Sequence, residues 1–207
     1  MKGILFKDFL IKQIAAGAKT MTRRTKGLEV INEVPSRYMH TAHNFKNGQS
    51  IFLNMLTGDN VFVKPEYLIG EVIYVKENYI PDYFADRTTA YGTDWNSVPE
   101  LLIHKPKYKS KLMMPEREAR YFLTITNVRV ERLKSITEAD AISEGVETIP
   151  LQDIVAYKMY MPYKGFEMWV TSAVESFYWL IKSISGNGTW ENNPWVWVYE
   201  FELKKRD

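Results

Sequence analysis

Tyr121-Phe122-Leu123-Thr124-Ile125-Thr126-Asn127-Val128-Arg129-Val130-Glu131-Arg132-Leu133 carries the strongest strand signal in the chain. β-Branched and aromatic residues dominate it, and Tyr121, Leu123 and Ile125 alternate with Phe122, Thr124 and Thr126. Asn127 predicts a bend within it. Thr137-Glu138-Ala139-Asp140 then opens a helix, with Thr137 as N-cap, Asp140 at N3 in a capping-box variant, and Gly145 closing it. A second, aromatic-rich helix is expected from Phe166 to Ile184, with Met168, Trp169, Ala173, Phe177 and Ile181 along one side. From Trp195 to Leu203, Trp195, Trp197, Tyr199 and Phe201 alternate with Val196, Val198 and Glu200. The start of this run is apolar on both faces, which suits a strand covered on both sides. Strands and helices in this order favour an α+β or barrel-based single domain over residues 1–207, rather than alternating βαβ units.

Working toward the N-terminus, Ser50–Met55 and Gly70–Glu77 read as further strands. Phe9, Leu10, Ile14 and Ala15 fall near helical spacing, Asp8 sits in the first turn, and Gly17 stops that helix. Lys19–Arg24 reads as a short strand, and residues 25–49 as polar loop. Residues 79–116 hold four of the nine prolines and predict a long loop insertion.

At 207 residues and 45% hydrophobic content the chain can bury a sizeable core, which excludes general disorder. The formal net charge of +2 excludes a blanket polyanion binder. Having no cysteine excludes disulfide scaffolds, thiol nucleophiles and zinc fingers, and suits a reducing cytoplasm. No apolar run approaches the ~20 residues of a membrane span, and the charged N-terminus does not resemble a secretory signal. His40-x-x-His43 lacks a third ligand nearby and reads as solvated loop, so no metal or cofactor is expected.

Near-neutrality conceals segregation. Residues 1–26 carry +6, residues 105–134 carry +6, and residues 135–153 carry −5. Lys105, Lys107, Lys109 and Lys111 interleave with Tyr108, as a phosphate-tracking loop or a merely solvated one would. In Gly17-Ala18-Lys19-Thr20-Met21-Thr22-Arg23-Arg24, an extended backbone puts Thr20, Thr22 and Arg24 on one face, with Lys19 at the junction. That pattern fits a surface edge strand, or a pocket in which a desolvated lysine activates a hydroxyl. Glu144 falls in the last turn of its helix, where the dipole disfavours an anion, and Asp140 repels it from one turn earlier. A nearby Lys/Arg cluster would compensate both. Trp190, outside the final strand, is the better candidate for an exposed stacking platform; the alternating tryptophans read as core.

Together, Gly17–Arg24, Gly70–Glu77, Met114-Pro115, Ile125–Leu133, Ile136–Gly145 and Trp190–Phe201 resemble the ASCH domain family, in the longer form of phage and prophage proteins. The resemblance spans nearly the whole chain. It departs at Glu71, where Asp is usual, and at Lys76, where Arg is usual, which removes a planar bidentate fork. It implies a PUA-like mixed β-barrel with flanking helices, an insertion at about 79–116, and association with RNA, a nucleotide or a nucleoside. Thr20, Arg23, Arg24, Lys76, Lys107, Lys109, Lys111 and Trp190 are the candidate binding residues. The small members of the family include acetylcytidine amidohydrolases, and the resemblance places their catalytic Lys, Thr and Glu on Lys19, Thr22 and Glu144. It therefore implies a binder, RNA rather than DNA, with an acylcytidine-type amidohydrolase as alternative. A phage protein acting through a host protein is the third.

Overall fold

The structure is a computed structural model, and it describes residues 1–44, 48–81, 90–91, 109–151, 154–161 and 167–205. The fold is α+β. Two compact units partition the chain, Met1–Gly17 with Val72–Thr124 and Glu202–Asp207, and Ala18–Glu71 with Ile125–Phe201.

In the first unit, β1 (Gly3–Leu5) runs parallel to β6 (Val72–Lys76), which pairs antiparallel with the start of β9 (Tyr121–Arg132). Helix α1 (Asp8–Ala15) buries Leu10, Ile11 and Ile14. It stops at Gly17, whose φ of +75° only glycine adopts cheaply. Tyr74, Tyr79, Met114 and Ala119 form a core against Tyr91 and Phe122. The part of the expected insertion that is described includes the short ladder of β7 (Tyr79–Ile80) with β8 (Ala90–Tyr91).

The second unit holds α2 (Glu29–Glu33), β2 (Met21–Arg24), the meander β3 (Tyr38–Asn44), β4 (Gln49–Asn54) and β5 (Asn60–Val63), and α3 (Glu138–Ser143). It also holds the meander β10 (Thr148–Leu151), β11 (Ile154–Met159) and β12 (Met168–Val170), then α4 (Ala173–Ser185) and α5 (Thr189–Asn192). The last strand, β13 (Trp195–Lys205), lies between β9 and β2 in the strand order. Its two faces are both covered, as its pattern predicts, with Val196, Trp197, Val198, Tyr199 and Phe201 all buried. Among the described residues no sheet closes into a barrel.

Thr137 caps α3 in a full capping box: its hydroxyl accepts from Asp140 N, and the Asp140 carboxylate accepts from Thr137 N. Two expectations fail. Residues 25–49 are not all loop: Leu28 and Ile31 anchor α2 in the core, and β4 supplies the ladder that makes residues 38–44 a strand. His40 and His43 therefore lie on β3, where His43 Nδ1 meets Ser50 Oγ at 2.7 Å. The second long helix begins at Ala173, because Ser172 caps it by accepting from Glu175 N, while Met168 and Trp169 pair with β11. Phe166 lies outside the described residues. Along β9 the buried positions run 123, 125 and then 128, so the alternation changes phase at Thr126-Asn127, where Asn127 Nδ2 donates to Glu200 Oε1 at 3.2 Å.

Candidate functional site

Lys19, Thr22, Arg23, Arg24 and Glu144 all belong to the second unit. Thr20 N donates to Ser143 O, and Phe201 N donates to Thr20 O, each at 2.9 Å. These two bonds lay the start of β2 against the C-terminus of α3 and against β13. Lys19 is thereby delivered to Glu144, 125 residues away in sequence. Its Nζ donates to Glu144 Oε2 at 2.8 Å, to the Glu144 carbonyl at 2.7 Å and to Met21 O at 2.7 Å. Three acceptors match the three protons of an ammonium. The ammonium offsets both the carboxylate and the open carbonyl at the helix end, which answers the unfavourable placement of Glu144.

Arg23 completes the compensation. Its Nη1 donates to Glu144 Oε1 at 3.1 Å, and its Nη2 to Glu131 Oε1 at 2.6 Å and Asp140 Oδ2 at 3.1 Å. Its charged end also lies 5.8 Å from the Phe177 ring centroid. Arg129 extends the network to Asp140, Glu131 and Glu200. Arg23 is thus enclosed by three carboxylates rather than presented to a polyanion. The +6 and −5 segregation of the sequence and the unfavourable placement of Glu144 and Asp140 on one helix both hinted at this pairing.

Alternation along β2 sends Lys19 and Arg23 toward Glu144, and puts Thr22 and Arg24 on the opposite face. Register pairs Thr22 with Tyr199 and Arg24 with Trp197, so these four side chains share that face. Tyr67 packs edge-on against Tyr199 at 5.3 Å, and Tyr199 Oη accepts from Glu66 N at 3.0 Å. Thr22 is 3% exposed, Lys19 2% and Glu144 4%. Among the described residues no hydrogen bond joins Lys19 to Thr22.

Burial holds Lys19 below its ordinary lysine range, against the opposing pull of Glu144. Burial likewise lowers Arg24, countered by Glu144, Tyr67, Tyr199 and Glu66, although a guanidinium stays protonated. Desolvation raises both Tyr67 and Tyr199 above the usual 10.0. A raised phenol contributes stability that is present below the unfolded value of 10.0 and is lost as pH climbs through the folded value. Denaturant midpoints should therefore begin to fall as pH rises past 10.0, before the rise of folded-state phenolate absorbance. Tyr199→Phe should flatten the fall, and an unchanged profile in that variant would contradict the assignment.

The other sequence candidates lie elsewhere. Thr20 is exposed at the mouth of β2. Trp190 is half-buried in α5, edge-on to Phe177 and Tyr178, rather than an open platform. Lys76, Lys109 and Lys111 belong to the first unit. Lys76 Nζ donates to Leu112 O at 3.1 Å, and Lys111 Nζ donates to Phe6 O at 2.9 Å and Asp8 Oδ1 at 3.3 Å. Lys109 is exposed, and Lys107 lies outside the described residues. Sequence reasoning missed Arg129, Glu131 and Glu200 as partners, though Arg129 and Glu131 two apart on a strand share a face. It also missed Glu66 and Tyr67, for which the sequence carries no signal. Among the described residues no cluster of His, Cys, Asp or Glu fits a metal ion, and no helix is long and apolar enough to cross a membrane. Compared with family models, curated proteins and solved structures, the chain matches none.

Proposed function

We propose that this protein binds RNA or a nucleotide or nucleoside in the manner of an ASCH domain, from the cytoplasm and without metal or cofactor. The observation that carries this reading is the buried mixed-charge centre of Lys19, Arg23 and Glu144, backed on β2 by the Thr22, Arg24, Trp197 and Tyr199 face. The donors of Lys19 and Arg23 are engaged inside that centre. In this reading it holds β2 in place while the polar and aromatic face of β2 and β13 meets the base or single strand. The same reading takes the open sheets of the second unit as parts of a PUA-like barrel.

A second reading, the amidohydrolase, is favoured by one distance: Lys19 Nζ to Glu144 Oε2, 2.8 Å, with Thr22 three residues along the chain. In it, Lys19 as free amine takes the Thr22 hydroxyl proton while Oγ bonds to the acyl carbon of an acylated cytidine. Collapse of that adduct breaks the C–N bond. The lysine proton passes through Glu144 to the departing amine, and water then hydrolyses the threonine ester. Lys19 as found has all three protons on acceptors other than Thr22, so this step first requires one proton to leave. The saturated ammonium is why binding is placed first.

The test is a titration of single-stranded RNA and of cytidine, at two salt concentrations, beside a deacylation assay on acylated cytidine. The binding reading expects RNA affinity that weakens with salt and a loss of about tenfold or more in Arg24→Ala, in line with one charge-assisted hydrogen bond. Turnover abolished by Thr22→Ala would replace it with the hydrolase. Neither binding nor turnover would overturn both and leave contact with a host protein.

A further inference from the structure

A cavity of about 370 Å³ opens in the second unit between α2 and the ends of α4 and α5. It shares no lining residue with the Lys19, Arg23 and Glu144 centre. Its polar wall is Thr25, Glu29, Asn32, Ser185, Thr189 and Asn192, and two prolines supply the apolar remainder. The volume is that of a small-molecule site rather than of a water pocket.

The wall is held in place before any ligand arrives. Asn32 is clamped to one backbone residue: Nδ2 donates to Trp195 O at 2.9 Å, and Oδ1 accepts from Trp195 N at 2.8 Å. A side-chain amide still has a second proton and a second lone pair after two such bonds. Thr189 Oγ1 donates to Ser185 O at 3.2 Å, which leaves the hydroxyl able to accept. Glu29 Oε1 accepts from Gly27 N at 2.9 Å, and that bond holds the carboxyl below its usual range, so it is ionised near neutral pH. Groups fixed in this way lower the ordering cost of binding.

The electrostatics of the cavity favour a cation. Glu29 is its charged lining residue, and no lysine, arginine or histidine lines it. Helix α4 ends at Ser185, so the negative end of a 13-residue dipole lies at the same wall. The neighbouring cations are engaged elsewhere. Lys26 is the weakest influence on Glu29 and pairs directly with Glu66 at 2.5 Å. Lys182, in the last turn of α4, lies back over Tyr178 and Trp179, 5.6 and 5.0 Å from their ring centroids. Arg132 Nη1 donates to Pro35 O at 2.9 Å, with its guanidinium 5.3 Å from the Trp195 ring centroid.

We propose that this cavity is a binding site for a small hydroxylated primary amine of the amino-sugar class, with the ammonium on Glu29 beside the end of α4 and the hydroxyls on the polar wall. An ammonium is positive and donates only, which matches a carboxylate next to a helix C-terminus. Hydroxyls both donate and accept, as do the amides and hydroxyls that surround them. A phosphate would meet Glu29 and the negative helix end, and an apolar ligand would desolvate the wall without satisfying it. The site is separate from the β2–β13 face, and the nucleic-acid reading neither supports it nor depends on it.

The probe is glucosamine, titrated by calorimetry into the full chain at a pH where its amine is protonated, beside glucose, N-acetylglucosamine and putrescine. Glucosamine is expected to saturate a single site. Glucose and N-acetylglucosamine, which lack the charge, and putrescine, which lacks the hydroxyls, should each bind about tenfold more weakly. Glu29→Gln keeps an oxygen for Gly27 N but removes the charge, and should also weaken glucosamine about tenfold. Glu175→Gln removes an exposed carboxylate in the first turn of α4, at the far end of that helix, and should leave binding unchanged. Equal losses in these two variants would mean that bulk charge attracts the amine, and would overturn the proposal. So would glucose or putrescine binding as tightly as glucosamine, or glucosamine not binding at all. Urea midpoints check that each variant folds. Should Glu29→Gln fail that check, Thr25→Val, which removes one exposed hydroxyl of the wall, takes its place with an expected loss of about fivefold.

Discussion

Glu144→Ala is expected to cost about 3–5 kcal/mol, the usual penalty for removing one partner of a buried ion pair. The physical reason is what remains. Lys19 Nζ keeps two carbonyl acceptors but loses the carboxylate that offsets its desolvation, in a site where its side chain is 1% exposed. Arg23 loses one of three carboxylates and keeps Glu131 and Asp140. The damage therefore concentrates on Lys19. Glu144→Gln, which keeps a hydrogen-bond acceptor but no charge, should fall between wild type and Glu144→Ala. Lys19→Met combined with Glu144→Ala should recover part of the loss, because no unpaired ammonium is left behind. Urea unfolding with an unchanged m-value is the measurement. A loss in Glu144→Ala under about 1 kcal/mol, the level of a surface pair, would mean that this network does not hold the second unit together.

Arg120→Ala should be as damaging in the first unit, again by about 3–5 kcal/mol. Glu77 is 0% exposed, and Arg120 holds it bidentately, Nε to Oε2 and Nη2 to Oε1, each at 2.9 Å. The guanidinium also stacks 4.0 Å from the Tyr91 centroid and 4.8 Å from that of Tyr121. The two partners are not equivalent. The Arg120 side chain is 24% exposed and can turn toward water when Glu77 is removed, whereas the Glu77 carboxylate cannot follow when Arg120 is removed. Arg120→Ala should accordingly be the worse of the two single substitutions, with Glu77→Ala milder and Arg120→Lys intermediate, since lysine lacks the fork. The reverse order in denaturant midpoints would show that a buried Glu77 carboxylate left without Arg120 is not the dominant cost here.

Both expectations concern partners that sequence separation conceals, and the legibility of this chain divides along that line. Local devices are readable. Thr137 and Asp140 form their capping box from atoms three residues apart. The alternation of β13 announces burial on both faces, and the Gly17 stop announces the end of α1. The conflict at Glu144 can also be read, because a helix end disfavours an anion whatever surrounds it. The cations that resolve that conflict are legible only as a type. Elements whose stability comes from elsewhere mislead: residues 38–44 are too polar to signal a strand, and they become one because β4 completes their hydrogen bonds. Met168 and Trp169 fit helical and strand periods equally, and the Ser172 cap together with pairing to β11 decides between them.

The sequence by itself determined an α+β chain with capped helices, a doubly covered final strand, and a Lys-Thr-x-Thr-Arg-Arg segment that must end near compensating charge. Short-range hydrogen bonds and side-chain periodicity are enough for that, because they act within a few residues. Only the tertiary structure decided that Arg23 is enclosed by three carboxylates, that Lys19 rather than Thr22 meets Glu144, and that Glu29 and the end of α4 line one cavity. Such pairings depend on strand register and burial across more than a hundred residues, where desolvation sets the worth of each contact and no local pattern records it.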